Sequence, residues 1–266
     1  MKRLFLILAL LTPAGAFAQT ATEWGARASV EANYKISKGL HVYAEEELRT
    51  EATSLASVRT TLGFTYKPFK ALKLGVGYTL INTRDVSTAT FKEPRHRVFA
   101  DITGSLQLGY FQFSLKERLQ YTRRTGTFNV YQNNPDALAL KSKFTIKYKG
   151  FYVAEPYASF ELRTALNEPW GTTSGEAQWN KSGTKTYYNY TPSGYTHVYN
   201  NRYRGEVGVS FNFSKRHELK PYLLIDYNDK YELDTNTEGT KLFSAQYNNS
   251  IMLSPGLSYI FSFCYI

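Results

Sequence analysis

The feature that most constrains this chain is a two-residue alternation of apolar and polar side chains, sustained over long stretches. In EWGARASVEANYKI, residues 23–36, Trp24 and Val30 fall on one parity, whereas Arg27 and Lys35 fall on the other. Successive side chains of a β-strand point to opposite faces. The period therefore predicts a long strand with one apolar face and one charged face.

The same period recurs towards the C terminus, and apolar residues do not show the spacing of an amphipathic helix. The alternating segments are residues 40–49, 58–66, 72–80, 98–102, 111–121, 140–148, 154–162, 199–213, 219–227 and 243–265. The last segment is longer than the roughly 9–11 residues of a spanning strand. LSPGL at 253–257 predicts a hairpin with Gly256 in the left-handed conformation, which divides this segment and gives about twelve strands, within a range of roughly 10–12.

The N terminus has the three parts of a secretory signal peptide. Basic residues precede an apolar run, and AFA at 16–18 forms an A-x-A cleavage site. We therefore predict a signal peptide at 1–18 and a single barrel domain at 19–266. The only cysteine is Cys264, so the exported domain is predicted to fold without an internal disulfide.

Alternating strands can build a soluble secreted β-protein or a membrane barrel whose apolar face meets lipid. These strands are longer than is usual in globular sheets, and aromatic residues collect where the apolar stripes end, as membrane interfaces favour. The connections are tight at one end and mostly longer at the other, which is typical of outer-membrane barrels. We therefore predict an all-β fold, a transmembrane antiparallel up-and-down β-barrel in the cell outer membrane, because only a closed sheet leaves no unpaired edge in lipid.

Two features disagree with a simple barrel of twelve strands. Glu46 and Glu117 fall on the lipid-facing parity, where a charge is costly, so a β-bulge or a different register is expected to turn them away from lipid. An even strand count with tight turns on the periplasmic side would also place both termini outside the cell.

The polar parity of the strands would line the lumen, and there Arg and Lys outnumber Asp and Glu. The lumen charges that we predict are Arg49, Arg95, Arg97, Arg118, Lys143, Arg202, Arg204, Glu45 and Glu47. A surplus of positive charge predicts a narrow passive channel for small anionic solutes. The alternative is a structural barrel whose lumen is filled by ion pairs, for instance of Glu45 or Glu47 with Arg27 or Arg59.

Enzymatic activity is not predicted. The histidines are His41, His96, His197 and His217, and none belongs to a compact catalytic or metal-binding motif. We expect no catalytic residue, cofactor or metal. The alternative is a lipid- or lipopolysaccharide-acting enzyme assembled from distant strands, since such a site leaves no local motif.

The net charge of +10 indicates contact with anionic outer-membrane lipid and lipopolysaccharide rather than with nucleic acid. The segment 164–197 is predicted to be a long extracellular loop in which Trp and Tyr stand among Gly and Asn. A loop of this kind offers a second alternative, a surface-loop binding protein.

Several segments resemble those of small Gram-negative outer-membrane β-barrels that form an uncharacterised family of the domain-of-unknown-function type. They are AEEELRT at 44–50, LGVGYT at 74–79, PRHRVFAD at 94–101 and LKERLQYTRR at 115–124. The final PGLSYIFSFCYI also looks like the aromatic-ended last strand read by the barrel-assembly machinery, although it ends in Tyr265-Ile266 instead of the expected Phe. The resemblance implies the fold, the outer-membrane location and the assembly machinery as a partner, and it brings no catalytic residues.

Overall fold

This computed structural model describes residues 21–85, 87–179 and 185–263, so the predicted signal peptide lies outside the described residues. The described chain consists of strands and connections: β1 (Ala21–Trp24), β2 (Arg27–Ser37), β3 (Leu40–Glu51), β4 (Ser54–Phe69), β5 (Leu72–Thr83), β6 (Arg95–Leu108), β7 (Phe111–Arg124), β8 (Asp136–Tyr148), β9 (Ala154–Trp179), β10 (Thr186–Asn212), β11 (His217–Thr235) and β12 (Lys241–Phe263). Within these residues, no helix is long and apolar enough to cross a membrane.

The sheet closes into a barrel of eleven strands because β1 and β2 are two parts of one strand. Both parts pair in parallel with β12, from Ala21 opposite Ser250 to Tyr34 opposite Phe263. They are separated at Gly25, where a Cβ would lie 2.2 Å from the Thr50 carbonyl oxygen. The other barrel strands pair antiparallel with their sequence neighbours, as predicted.

The hairpin predicted at 253–257 is wrong, because β12 pairs with β11 without interruption through this segment. Pro255 lies opposite the break between β1 and β2, where the ladder with the first strand stops, so its missing N–H costs no ladder bond there. Gly256 leaves space for the Tyr222 ring, whose Cζ would lie 2.1 Å from a Cβ. The Ser-Pro-Gly sequence is thus part of an extended strand instead of a turn. Its proline lies where the barrel closes, and its glycine makes room for a packed ring.

An odd number of strands changes two expectations. The first and last strands run in the same direction, so the closing pair is parallel. The first strand also starts at one end of the barrel, whereas the last strand ends at the other end, with Phe263. We call these the long-loop end, with connections at 51–54, 83–95, 124–136, 179–186 and 235–241, and the short-turn end, with connections at 37–40, 69–72, 108–111, 148–154 and 212–217.

The outer surface of the barrel is apolar, as a transmembrane barrel requires. Exposed outward side chains include Trp24, Val30, Leu62, Phe64, Val76, Val98, Ile102, Leu115, Phe160 and Val207. An aromatic girdle at the short-turn end contains Tyr148, whose ring centroid lies 5.2 Å from that of Phe111 and 5.1 Å from that of Phe151. In the strand at residues 23–36, the apolar face therefore lies on the outside of the barrel and the charged face lies in the lumen.

No β-bulge turns Glu46 or Glu117 away from the outer face of the barrel. Glu46 pairs with Val30 and Thr60, and Glu117 pairs with Ile102 and Ser142, in regular register. Both glutamates therefore keep the outward parity. The Ser142 hydroxyl donates a hydrogen bond of 2.6 Å to Glu117, which satisfies part of the carboxylate on this surface.

The predicted loop 164–197 is wrong as a loop, because β9 continues to residue 179 and β10 begins at residue 186. The two strands form a hairpin that rises above the barrel and also contacts β12, with Tyr188 opposite Leu242. Its residues do not continue the apolar–polar alternation of the barrel strands. Tyr190 packs there with Leu233 and Leu242.

Aromatic side chains on the inner face lie across glycines of neighbouring strands. Register pairs place Tyr43 opposite Gly63, Phe99 opposite Gly77, Tyr157 opposite Gly208 and Tyr222 opposite Gly256. A Cβ at each of these glycines would lie within 3.0 Å of its partner ring. Glycine thus lets the rings lie along the wall and fill the lumen of the barrel.

Candidate functional site

A cavity of about 810 Å³ opens at the long-loop end of the lumen, and we call it the cationic cavity. Its basic lining residues are Arg49, Arg59, Arg97, Arg124, Lys141, Arg163, Arg202, Arg204 and Lys230. Its acidic lining residues are Glu23, Glu168 and Glu232. The lining therefore carries a clear surplus of positive charge.

The β-sheet register places like charges directly opposite each other around this cavity. Lys141, Arg163 and Arg202 of the lining form one continuous row across β8, β9 and β10, and Arg118 on β7 extends this row outside the lining. Like charges opposite each other on neighbouring strands are destabilising. The fold therefore concentrates positive charge at the cavity at a cost to its own stability, which is expected of a surface that binds anions.

Two buried carboxylates lie beside this row and hold several of the cations. Asp226 is 3% exposed. It accepts hydrogen bonds from Arg204 Nε at 2.6 Å and Arg204 Nη2 at 2.9 Å, and one from Arg27 Nη2 at 2.8 Å. Glu161 accepts a hydrogen bond of 2.6 Å from Arg202 Nη2. The Lys141 Nζ lies 3.9 Å from the same Glu161 oxygen.

Nearer the short turns, the lumen charges are taken up by ion pairs. Asp101 binds Arg118 through bonds of 2.5 and 2.7 Å, and the Lys116 Nζ lies 3.0 Å from Asp101. The guanidinium of Arg118 also lies 3.9 Å from the centroid of the Phe99 ring. Lys143 pairs with Glu206 at 3.0 Å. This part of the lumen forms a floor of ion pairs and aromatic rings beneath the cationic cavity.

Several polar atoms of the cavity lining are buried without a hydrogen-bond partner among the described residues. The donors are the Nε atoms of Arg49, Arg59 and Arg202, and the acceptors are Gln120 Oε1 and Asn201 Oδ1. Buried polar groups in folded proteins are nearly always hydrogen-bonded. The cavity wall therefore presents both donors and acceptors that remain available to a ligand.

The lumen charges predicted from the sequence divide into three groups. Arg49, Arg97, Arg202 and Arg204 line the cationic cavity. Arg118 and Lys143 belong to ion pairs of the floor. Arg95 lies opposite Arg124 outside the cavity lining, Glu45 lies opposite Glu31, and Glu47 pairs with Arg49 at 2.6 Å.

The ion pairs predicted for the lumen differ from those in the structure. Glu47 binds Arg49 on its own strand. Arg27 binds Asp226 across the closing seam of the barrel. Tyr199 also lines the cavity. Sequence reasoning overlooked Gln120, whose only signal was its parity between inward cations.

The histidines were considered as candidate catalytic bases. His96 lies 2.6 Å from the Tyr78 hydroxyl, His217 lies 2.6 Å from the Tyr259 hydroxyl, and His197 lies 3.1 Å from the Tyr247 hydroxyl. His197 also stacks on Trp170, with ring centroids 4.4 Å apart. Across residues 21–85, 87–179 and 185–263, no group of His, Cys, Asp and Glu side chains is placed to hold a metal ion.

A family model described as "Protein of unknown function (DUF2490)" matches residues 24–237. A search of curated protein sequences finds no match. A solved structure described as outer-membrane expressed OmpT of Vibrio cholerae aligns with a TM-score of 0.31 and 11% identity. The alignment covers 80% of this chain and 61% of that one, and a likeness at this level carries no argument about activity.

Proposed function

The chain belongs to the DUF2490 family of proteins of unknown function, and we propose that it is a passive outer-membrane barrel for small anions. The cationic cavity would collect anionic solutes at the long-loop end and admit them to a narrow path through the lumen. The observation that carries this proposal is the row of neighbouring cations, Lys141, Arg163 and Arg202, facing a cavity with few acids.

The charge surplus acts most strongly inside the barrel. The walls have a low dielectric constant, so they focus the field of the lining arginines into the cavity and raise the local concentration of anions. Salt screens exposed charges over about 8 Å at physiological ionic strength. Anion attraction by the cavity is therefore expected to weaken as the salt concentration rises.

The floor of ion pairs makes any path narrow. Phe99 of the floor is 5% exposed, and the carboxylates Glu161 and Asp226 are almost fully buried. Passage requires these side chains to separate for a short time, so we expect a small conductance. The same floor favours a second function, a barrel that binds anions without transporting them.

We further propose the outer membrane as the location, with outer-membrane lipid and lipopolysaccharide as neighbours and the barrel-assembly machinery as a partner. The apolar outer face and its aromatic girdle support this location. The last residues of the predicted assembly signal lie outside the described part of the chain. Fractionation of the cell envelope would test the location directly.

We also propose that the barrel is not an enzyme. His96, His197 and His217 each lie within hydrogen-bonding distance of a tyrosine hydroxyl. A hydrolytic base would instead be expected to contact a serine, threonine or cysteine nucleophile. An assay for phospholipid and lipopolysaccharide hydrolysis by the refolded protein would contradict this proposal if it detected turnover.

The proposed function is tested by ion selectivity in planar bilayers, with the double variant Arg59→Glu/Arg97→Glu in the cavity. The parent is expected to give small anion-selective currents, and the variant is expected to lose or invert that selectivity. Lys215→Glu/Arg216→Glu, in the short turn between β10 and β11, is the matched control. It changes the net charge by the same amount, at a site far from the cavity. An equal loss in both variants would overturn the assignment of selectivity to the cavity.

Binding is measured on the same proteins by calorimetry with sodium sulfate. Binding without current would favour the non-transporting barrel. Neither binding nor current from a folded, heat-modifiable barrel would overturn the proposed function.

A further inference from the structure

Gln120 is the most deeply buried polar side chain of the cavity lining, with 2% of its surface exposed. It projects from β7 between Phe99 and Ala139 in the register row. Its Oε1 has no hydrogen-bond donor among the described residues. A buried amide oxygen that lacks a donor is costly, so this atom is best explained by a ligand that donates to it.

Asn201 repeats the observation on another strand. Its Oδ1 is buried, lines the cavity and lacks a partner within the described chain. It lies at the irregularity between Asn200 and Arg202, where β10 contains an extra residue relative to β9. The bulge therefore adds an amide oxygen, a hydrogen-bond acceptor, to a wall whose nine Arg and Lys side chains can only donate hydrogen bonds.

The cavity is thus complementary to a ligand that carries both hydrogen-bond acceptors and hydrogen-bond donors. The Nε atoms of Arg49 and Arg59 lack a hydrogen-bond acceptor, and Arg202 Nε has only the Asp226 carboxylate, 3.8 Å away, so an anionic group would supply the acceptors. Gln120 and Asn201 require donors, which an anion such as sulfate does not have. Hydroxyl groups on the same molecule would satisfy both amide oxygens.

We propose that the cavity binds a hydroxylated anion, namely a sugar that carries a sulfate, phosphate or carboxylate group. This inference rests on the proposed function and specifies its ligand class. The volume of about 810 Å³ lies within the usual range of small-molecule sites, roughly 300–1,000 Å³, and suits one or a few sugar rings. Such a sugar could be a free solute or part of lipopolysaccharide in the same membrane.

The test compares three probes by calorimetry on the refolded barrel in detergent without lipopolysaccharide. The probes are sodium sulfate, glucose 6-sulfate and glucose. We expect glucose 6-sulfate to bind about tenfold more tightly than sulfate, since one net hydrogen bond is worth roughly that factor. Glucose alone is expected to show no binding, because it lacks the anionic group.

Gln120→Met tests the role of the buried amide. It keeps a similar shape but removes the acceptor, so it is expected to weaken glucose 6-sulfate binding about tenfold and to leave sulfate binding unchanged. Gln112→Met is the matched control, because Gln112 lies on the same face of β7 but outside the cavity. Unchanged sulfate binding also shows that the variant barrel is folded, and Asn201→Ala provides a second test of the same kind.

Equal affinities for sulfate and glucose 6-sulfate would overturn this inference and leave the proposed function standing. Failure of both anions to bind would overturn both. Unaltered glucose 6-sulfate binding in Gln120→Met and Asn201→Ala would also overturn the inference. Competition by added lipopolysaccharide would identify the membrane sugar as the source, whereas binding unaffected by it would identify a free solute.

Discussion

The two halves of the lumen use the same residue types for opposite purposes. Near the short turns, Asp101 binds Arg118 and Lys116, and Lys143 binds Glu206, so charge is neutralised and the lumen is filled. At the long-loop end, Arg59 has a buried Nε without a partner beside an open cavity. The number of inward charges therefore does not determine whether the lumen is filled or open. The positions of a few acids determine which cations remain available to a ligand.

Asp226 and Glu161 form the boundary between the halves. Together they contact Arg27, Arg202, Arg204 and Lys141, so this cluster has more cations than acids. A buried carboxylate that serves several arginines stabilises them only while it is charged. Substitutions at this boundary should therefore have the largest effects on stability.

The largest expected effect comes from Asp226→Asn, which would remove the boundary between the two halves. Arg27 would stay buried without its charged partner and Arg204 would keep only Glu161, 3.9 Å away, and loss of one member of a buried pair costs about 3–5 kcal/mol. We expect the free energy of unfolding, measured by urea titration in lipid vesicles, to fall by this amount. Glu51→Gln, on an exposed residue at the end of β3, is the control, and equal stabilities of the two variants would contradict the prediction.

A smaller effect is expected from Gly77→Ala, which tests the filled half. The new Cβ would lie 2.4 Å from Phe99 Cζ and 2.9 Å from the Leu62 carbonyl oxygen. Overpacking of this kind costs about 1–3 kcal/mol. Gly104→Ala is the matched control, because no atom beyond its chain neighbours lies within 4 Å of the place that a Cβ would occupy. If Gly77→Ala and Gly104→Ala had the same free energy of unfolding, the Phe99 ring would not lie against the barrel wall at Gly77.

The smallest change in stability is expected from Arg59→Met in the open half. This substitution removes repulsion with neighbouring arginines without breaking an ion pair, so the free energy of unfolding should change by less than about 1 kcal/mol or increase. Arg118→Met in the filled half should instead lower it by about 1–3 kcal/mol, since Asp101 loses a bidentate partner and keeps Lys116. Urea titrations that give equal losses for both variants would remove the distinction between the two halves.

Much of the fold could be predicted from local patterns. Alternation places Trp24 and Val30 outside and Arg27 inside, and the structure agrees. The final strand could not be predicted in this way, because Ser-Pro-Gly at 254–256 has the composition of a turn. Its extended conformation depends on the Tyr222 ring and on the break between β1 and β2, which belong to distant parts of the chain.

The candidate site shows the same division. Parity identified Arg49, Arg97, Arg202 and Arg204 as inward charges, and these line the cavity. Parity could not indicate that Gln120 would be buried without a donor, since this depends on every neighbour of its side chain.

The alternation in the sequence is enough to predict a β-barrel with an apolar outer face and a charged lumen, because the side chains of each strand point alternately to two faces and each face must suit its solvent. The odd strand count, the parallel closure and the choice of ion-pair partners depend on contacts between distant parts of the folded chain. Arg27 and Asp226 are 199 residues apart, and they meet because the first strand closes against the last, next to β11. Contacts across a closed sheet depend on register and strand number, which no local pattern specifies.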